Sequence, residues 1–593
     1  MTETMESYQT TRWDLGDLFP GHDTSEMEQG MAELEAAVAD FEGLRDKLSA
    51  DMDLEDFIEI LHTQEKNSRL ANRIGQFAGL WYTEDTQNQD ALTFQAKIQQ
   101  FMAGLQNRTM FFSLWWKSLT DEEAEPFQAR SGEFEYYLQQ MRNFKPYTLS
   151  EPEEKIINIK DVTGASALQT LYSSITNRYT FTVEIDGEEK EMTQGELLGN
   201  VFSPDADLRE RAYRELFRVY SADSTIIGQI YQSLVRDWRN ENVDLRGYKT
   251  PIAVRNLVND IPDEVVQTLM DVSEKNASLF QRFFQLKAKL LGQDKLRRFD
   301  IYAPVAGSDK IYDFDYAAKL TLQSFRDFEP RVADLAERVF SEDHIDSEIR
   351  KGKQSGAFCS SGDPDVTPYV LMNYEGKARD ISTLAHELGH AIHAMLAEKH
   401  NVFNFHSSLP LAETASTFAE MLLIDRFLEE EKDEDVRRDV LFGQVSDAYA
   451  TIGRQIFFAM FERDAHEAIQ NGAATDEVAD IYFNNLKIQF GDSLELDEVF
   501  KWEWLYVSHF YQVPFYVYAY SFGQLLVLAL YKQYKQEGDP FKARYIELLS
   551  AGGSMSPEDI LSKAGVDMRS ADFWQGGFDV LVEMITELEE LTS

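Results

Sequence analysis

The amino-acid sequence predicts a mainly α-helical protein, and three observations support this prediction. Apolar residues recur at the helical period over long stretches, including residues 26–48, 87–118 and 207–240. Glycine and proline, which interrupt helices, are sparse before about residue 145. Strand signals are few and short. With 593 residues, 43% of them hydrophobic, the chain is long enough for two or more lobes.

The strongest strand signal in the first part of the chain precedes the dipeptide Asp186-Gly187. Apolar and polar residues alternate before this dipeptide, which is typical of tight hairpin turns. We therefore expect a β-hairpin near residues 179–192, within an N-terminal helical lobe of residues 1–200. Residues 201–593 are expected to form the second lobe.

The most informative motif is an H-E-x-x-H pattern from His386 to His390. It lies inside residues 382–398, which are predicted to be helical with Asp380 as the N-cap. Residues four apart share one helix face, so both imidazoles can bind one metal ion. Glu387 lies about 100° around the helix, where it is free to act as a general base. The alternative is a pair of structural histidines. With 10 histidines in the chain, chance produces the pattern in roughly one or two such chains per hundred.

Two imidazoles and an open coordination position suit Zn²⁺, so a third protein ligand is required. The version with Gly at 393 and His at 396 is excluded, because the chain has His393 and Leu396. The other common solution is a glutamate from a second helix, and Glu413 falls in the first turn of a helix that starts near Pro410. The predicted ligands of one Zn²⁺ per chain are His386, His390 and Glu413.

Glu420 lies seven residues after Glu413 and faces the same way on this helix. We expect it to orient a ligand imidazole from outside the coordination sphere. A solvated helix face is the alternative for either glutamate, but the flanking alanines and Gly389 of the first helix favour two closely packed helices. His393 is expected to line the pocket or to pack internally.

Two further segments could contact a substrate, and each also has a purely structural interpretation. Residues 356–359 and 368–374 are predicted as short strands, and an exposed strand edge can pair with an extended peptide. Gly356 and Ala357 are therefore candidate substrate-binding residues, although a buried strand is equally compatible with the pattern. The aromatic residues 502–523 suit a protein core, and they also suit a polar pocket wall whose hydroxyls donate to an oxyanion.

Composition excludes several classes of function. The formal charge of −46 disfavours nucleic acid and anionic membranes as partners. No run reaches the roughly 18 apolar residues of a membrane span. The single cysteine, Cys359, indicates a reducing compartment, and residues 1–6 are acidic and polar, unlike a secretory signal. We therefore expect a cytoplasmic protein.

Several runs of residues, taken together, resemble the oligoendopeptidase F family, which belongs to the thimet oligopeptidase group of zinc peptidases. They are residues 353–359, 373–376, 380–386, 411–416, 509–520 and 564–567, with Arg12-Trp13-Asp14-Leu15 near the start. The resemblance spans nearly the whole chain. It implies a mainly α-helical, two-lobed protein that encloses a deep substrate channel, with a small β-sheet beside the zinc helix.

The resemblance also implies roles for individual residues. The zinc ligands fall on the three residues predicted above, and the general base falls on Glu387. The paired tyrosines of the group fall on Tyr511 and Tyr518, of which one stabilises the oxyanion and the other contacts substrate. His509 is similar to the histidine of the same motif.

The expected function is hydrolysis of internal peptide bonds in short, unfolded oligopeptides, performed by residues 201–593 as the catalytic lobe. A zinc carboxypeptidase with a closed channel is one alternative. A peptide-binding protein with a structural zinc is another, although Glu387 argues against it because structural sites are closed by four protein ligands. The sequence leaves the oligomeric state open, and Mn²⁺ or Co²⁺ could replace Zn²⁺.

Overall fold

A computed structural model describes residues 7–305 and 310–592, and most of these residues are α-helical. The predicted mainly α fold class is therefore confirmed. Residues 1–6, which the sequence analysis contrasted with a secretory signal, lie outside the described residues. Among the described helices, none combines the length and the apolar character needed to cross a membrane.

Most connections between helices are short, and the strands are few. In chain order, the first helices are α1 (Ser25–Glu42), α2 (Leu54–Glu84), α3 (Gln89–Thr109), α4 (Phe111–Ser118), α5 (Asp121–Gln128), α6 (Glu135–Asn143), α7 (Glu151–Thr163), α8 (Ala165–Thr176), α9 (Gln194–Gly199), α10 (Ala206–Ala222), α11 (Ser224–Arg239), α12 (Ala253–Asn259), α13 (Asp263–Lys275) and α14 (Ala277–Leu290). They are followed by α15 (Phe314–Phe328), α16 (Pro330–Ser341), α17 (Ala378–Leu396), α18 (Leu409–Ala412), α19 (Thr414–Glu430), α20 (Glu434–Ala448), α21 (Arg454–Gln470), α22 (Thr475–Phe490), α23 (His509–Gln512), α24 (Tyr518–Glu537), α25 (Asp539–Ser550), α26 (Pro557–Lys563) and α27 (Ala571–Glu590).

The remaining regular secondary structure consists of short β-strands, 3₁₀ segments and π-helical segments. The strands are β1 (Phe181–Ile185), β2 (Glu188–Met192), β3 (Leu296–Arg297), β4 (Ile345–Asp346), β5 (Phe358–Ser360), β6 (Tyr369–Leu371) and β7 (Leu494–Glu495). The 3₁₀ segments are Arg45–Lys47, Gly132–Phe134, Lys145–Tyr147, Asn200–Phe202, Arg298–Asp300 and Glu498–Tyr506, and the π-helical segments are Asn240–Leu245 and Tyr449–Gly453.

The chain divides into two compact units, each built from three separate stretches. The first unit comprises Met1–Lys145, Asp309–Lys432 and Gln533–Asp567. The second comprises Pro146–Ser308, Asp433–Lys532 and Met568–Ser593. The single boundary expected at residue 200 falls inside the second unit, because packing joins segments that are remote in sequence. The compact units do not test the functional division into an N-terminal lobe of residues 1–200 and a catalytic lobe of residues 201–593. That division stays a prediction.

The first unit contains the sheet that was expected beside the H-E-x-x-H helix. Its order is β4-β6-β5, with β4 parallel and β5 antiparallel to β6. One face of β6 enters an apolar core, where Tyr369 and Leu371 join Trp13 and side chains of α1 to α3. The H-E-x-x-H helix, α17, packs against β5 and β6. Among the described residues β5 pairs on one side only, so it is an edge strand.

The second unit contains the predicted hairpin. Strands β1 and β2 pair antiparallel from Phe181 opposite Met192 to Ile185 opposite Glu188. The turn residues Asp186 and Gly187 adopt φ of 55° and 81°, the left-handed geometry that a tight hairpin turn requires. The hairpin prediction is therefore confirmed.

Candidate metal centre

Two closely packed helices of the first unit, α17 and α19, build the candidate metal centre. Glycine at position 389 makes this packing possible. A Cβ placed there would lie 2.5 Å from Ser416 Cα and 2.7 Å from the Ala415 carbonyl oxygen, both of them backbone atoms that cannot move aside. The close packing expected from the small residues is therefore present. It brings the face of α17 that carries Gly389 against the start of α19.

The beginning of α17 differs from the sequence prediction. The helix starts at Ala378 with Lys377 as the N-cap, so Asp380 lies within the first turn. Its carboxylate accepts hydrogen bonds from the backbone N–H of Glu375 at 2.8 Å and of Lys377 at 3.0 Å. The prediction of Asp380 as N-cap was wrong because Asp380 is the third residue of the helix, and its carboxylate reaches back to N–H groups that precede the helix.

The structure brings His386, His390 and Glu413 together. Their ligand atoms all lie within 4.8 Å of one another. Glu413 Oε2 is 3.4 Å from His386 Nε2 and 3.3 Å from His390 Nε2. All three side chains are half-buried, which leaves an approach from solvent. Two imidazole nitrogens and one carboxylate oxygen form a donor set that suits Zn²⁺ with a free coordination position.

Glu413 occupies a break between two helices, where a continuous helix was expected. The short α18 ends at Ala412, and Glu413 serves as the N-cap residue of α19. Its Oε2 accepts a hydrogen bond of 2.6 Å from Ser416 Oγ. Ser416 is fully buried and thus fixes the orientation of this carboxylate. Sequence reasoning assigned no role to Ser416, although its spacing of three residues from Glu413 within a first helical turn was an available signal.

Glu420 contacts the first imidazole. Its Oε1 lies 2.6 Å from His386 Nδ1. An ionised carboxylate only accepts hydrogen bonds, so Nδ1 donates, and Nε2 is the ring nitrogen that remains on the side of Glu413 for a metal ion. This contact matches the one expected for a carboxylate that orients a metal ligand.

The charges of the centre shift its pKa values in opposite directions. Burial lowers the pKa of His386, but the hydrogen bond to Glu420 and the surrounding carboxylates outweigh it and raise the value to about 9. Burial raises the pKa of Glu413, but His390, His386 and Ser416 outweigh it and lower the value to about 2. The raised pKa of His386 shows that carboxylates surround this imidazole, which is an environment that favours a bound cation.

Glu387 lies on α17 beside these ligands and is itself buried. Burial raises the pKa of its carboxyl, and the two imidazoles partly offset the rise. Cys359 of β5 lies close enough for Glu387 to influence it, and burial followed by this charge raises the pKa of the thiol. The cysteine is thus an unreactive neighbour of a carboxylate with increased basicity.

His393 lies outside the group of ligand atoms. It is buried, and burial followed by the proximity of His390 lowers its pKa to about 4. Its ring is hydrogen-bonded to the backbone of Ala412. A neutral imidazole that supports α18 agrees with the internal packing expected from the sequence.

The strand segments are shorter than predicted. Strand β5 covers Phe358–Ser360 and β6 covers Tyr369–Leu371, so Gly356 and Ala357 precede β5. Gly356 adopts φ of 84°, and its carbonyl accepts a 2.9 Å hydrogen bond from Asn373 Nδ2. Of the two alternatives left open for this segment, the edge strand is the one observed.

The tyrosine segment belongs to the second unit, and both tyrosines are buried. Tyr518 Oη accepts a 2.9 Å hydrogen bond from Asn259 Nδ2. The ring of Tyr511 stacks on Tyr172 with centroids 3.8 Å apart, and its hydroxyl has no hydrogen-bond partner among the described residues. His509 is half-buried at the start of α23.

Comparisons with known proteins identify the family to which the chain is similar. The family model described as Peptidase family M3 matches residues 201–580, and the one described as Oligopeptidase F matches residues 115–181. The chain is 28% identical to Oligopeptidase PepF of Bacillus subtilis (strain 168), over 98% of this chain and 87% of that protein. It is also 28% identical to Group B oligopeptidase PepB of Streptococcus agalactiae serotype III (strain NEM316), over 99% and 98% respectively.

A solved structure shares the fold. The crystal structure of oligoendopeptidase-F from Enterococcus faecium superposes with a TM-score of 0.71 and 24% sequence identity, covering 96% of this chain and 99% of that one. The mainly α-helical architecture therefore extends over nearly the whole length of both chains.

Proposed function

This chain belongs to peptidase family M3, and from that premise we propose that it is a zinc-dependent endopeptidase that hydrolyses internal bonds of short, unfolded oligopeptides. The resemblance to the oligoendopeptidase F family is confirmed, and the protein is a metallo-endopeptidase. The proposal adds the metal, the role of each residue and the substrate range. The observation that supports it most is the convergence of His386, His390 and Glu413 beside Glu387.

His386, His390 and Glu413 would hold the metal, because their donor atoms already converge without it. Zinc, when bound there, supplies a Lewis acid that acidifies a water molecule toward a pKa of about 7 and polarises a carbonyl group. Glu420 keeps His386 in the tautomer that presents Nε2. Ser416 holds the Glu413 carboxylate in place.

Glu387 acts as the general base in this proposal. It takes a proton from the attacking water and later passes that proton to the leaving amine. Its burial supports this role, because a carboxylate with a raised pKa is a better proton acceptor at neutral pH.

Tyr518 is the oxyanion donor in this proposal. Following the family resemblance, Tyr518 donates a hydrogen bond to the oxyanion and Tyr511 contacts the substrate, while His509 is similar to the histidine of the same catalytic motif. The resemblance likewise supports a deep substrate channel, which would admit extended peptides and exclude folded proteins. Gly356 and Ala357, directly before edge strand β5, would bind the peptide main chain. The cytoplasmic location expected from the sequence stays a prediction.

Digestion of a mixed peptide library, read by mass spectrometry, tests the proposal. The purified protein should cut internal bonds, lose activity with a chelator and regain it with added Zn²⁺. Trimming of one residue at a time from the carboxyl end would instead identify a carboxypeptidase. Activity that survives complete metal removal would overturn the metal assignment.

The Glu387→Gln variant tests the assignment of the base. It should bind zinc normally, because Glu387 is not a ligand, but its turnover should fall by about four orders of magnitude. Zinc content by elemental analysis and turnover of a quenched peptide separate the two properties. A wild-type turnover in this variant would rule out Glu387 as the base.

A further inference from the structure

A recess in the first unit lies at the end of edge strand β5. It is a cavity of about 760 Å³, lined by residues of α1, α2 and α3 and by Ser360, Ser361 and Gly362. A cavity of this size accommodates a peptide segment of a few residues. The Peptidase M3 assignment and the metal centre do not explain it.

The lining of this cavity is uncharged, although 27% of the residues in the chain are charged. Helix α2 contributes Gln64, Asn67 and Ser68 to the polar wall, and α1 and α3 contribute apolar side chains such as Leu34 and Met102. His406 also lines it, and burial lowers the pKa of this histidine, which keeps the ring neutral. A lining that combines amides and hydroxyls with apolar side chains suits an extended peptide backbone with uncharged side chains.

Hydrogen bonds attach the cavity to the strand. Gln76 Nε2 donates to the Ser360 carbonyl at 3.0 Å, and Asn72 Nδ2 donates to the Gly362 carbonyl at 3.0 Å. Helix α17, which carries Glu387, packs against β5, and the residues from Ser360 to Gly362 line the cavity. The strand thus leads from the helix of the proposed general base to the cavity.

We propose that this cavity binds the amino-terminal part of the peptide substrate, an inference that rests on the proposed endopeptidase function. Strand β5 runs toward the cavity, so a peptide that pairs antiparallel with it runs from the cavity toward Glu387. Antiparallel pairing is the commoner arrangement and is the one that β5 already makes with β6. At about 3.3 Å per residue, Gly362 lies roughly 10 Å along the chain from Cys359. The cavity therefore receives substrate residues about three or more positions before the cleaved bond.

The uncharged lining gives this subsite a chemical preference. A charged side chain buried there would lose its hydration and find no opposite charge among the lining residues. Glutamine, asparagine, serine or aliphatic residues should therefore be accepted at these substrate positions, and lysine or aspartate should be disfavoured.

Two quenched peptides test the subsite. They share the sequence around the cleaved bond, but one has two residues before that bond and the other has five. The Ser68→Trp variant would fill the cavity from α2 and should raise KM for the longer peptide about tenfold, while the kinetics of the shorter peptide stay unchanged. The Asn107→Trp variant, on an exposed position of α3 outside the lining, is the matched control and should behave as wild type.

A substrate series on the wild-type protein gives an independent measurement that requires no variant to fold. Lysine or aspartate placed four residues before the cleaved bond should lower kcat/KM about tenfold relative to glutamine. Equal kcat/KM for all three peptides, or a Ser68→Trp effect of the same size on both peptide lengths, would overturn the subsite. Failure of the endopeptidase proposal has a different signature, since the wild type would then cleave neither peptide.

Discussion

The metal centre of the first unit and the tyrosine segment of the second unit are built in opposite ways. His386, Glu387 and His390 lie on one regular helix, so their spacing in sequence fixes their relative positions. The tyrosine segment passes through the four-residue α23 and an irregular stretch before α24. Within that stretch Phe515 adopts φ of 56°, a conformation that is strained for a bulky residue.

A tertiary contact holds the irregular segment. Glu462 of α21 accepts a 2.9 Å hydrogen bond from the backbone N–H of Phe515. Arg255 Nε donates to the carbonyl of Pro514 at 3.4 Å. The comparison shows that helical periodicity determines the geometry of the metal centre, whereas partners distant in sequence determine the geometry of the tyrosine segment.

The largest expected effect distinguishes the two tyrosines. Tyr518→Phe should lower kcat by about 10²–10³-fold with little change in KM, because a hydroxyl that stabilises the oxyanion is lost. Tyr511→Phe is the matched control and should change kcat less than tenfold, because its hydroxyl is buried without a partner among the described residues. Steady-state kinetics decide the matter, and a larger effect of Tyr511→Phe would reverse the two assignments.

A smaller effect is expected when the support of a metal ligand is removed. Glu420→Ala should lower zinc affinity about 10–100-fold, because His386 loses the hydrogen bond at Nδ1. Competition with a chelator measures this affinity. Glu429→Ala, at an exposed position on the same helix, is the control. Unchanged affinity in Glu420→Ala would show that helix packing alone orients the imidazole.

The packing of α17 on α19 gives the next prediction. Gly389→Ala should lower the free energy of unfolding by about 1–3 kcal/mol, because the new methyl group meets backbone atoms of Ala415 and Ser416. Gly104→Ala in α3 is the matched control, since its Cβ meets nothing within 4 Å and a helical alanine stabilises by about 0.5–1 kcal/mol. Urea unfolding compares the two, and equal stability would contradict the close approach.

The last prediction concerns Glu462, the carboxyl that holds the tyrosine segment. At low pH its substitution is expected to change the free energy of unfolding only slightly. Burial raises the pKa of Glu462 from its ordinary 4.5 to about 8, against the opposing influence of Phe515 N–H and Arg255. The folded state therefore keeps a proton that the unfolded state releases, so this group contributes a loss of stability as pH rises from about 4.5 to about 8.

Glu462→Gln removes that titration while it preserves the shape and the acceptor oxygen. At pH 5 the variant should differ from wild type by less than about 1 kcal/mol. As the pH rises toward 8, the stability difference should move in favour of the variant. Unfolding measured at several pH values checks this prediction, and parallel curves for both proteins would show that Glu462 is charged in the folded state.

Much of the candidate site was predictable because its residues are close in sequence. The positions of His386, Glu387 and His390 followed from the helical period, and Glu413 followed from the coordination number of zinc. The role of Asp380 was predicted incorrectly, since a carboxylate can stabilise a helix start either from the N-cap or from the third helical position. The break at Glu413 and its bond from Ser416 were not predicted, because they depend on how α18 meets α19.

The sequence by itself determined the helical class, the hairpin at Asp186-Gly187 and the set of residues that converge at the metal centre. These features arise from local backbone geometry and from spacings of a few residues. Only the tertiary structure decided that each compact unit joins three separate stretches of chain, that Glu462 holds the tyrosine segment and that an uncharged cavity continues β5. The physical reason is that these features depend on contacts between residues far apart in the chain, which no local period encodes.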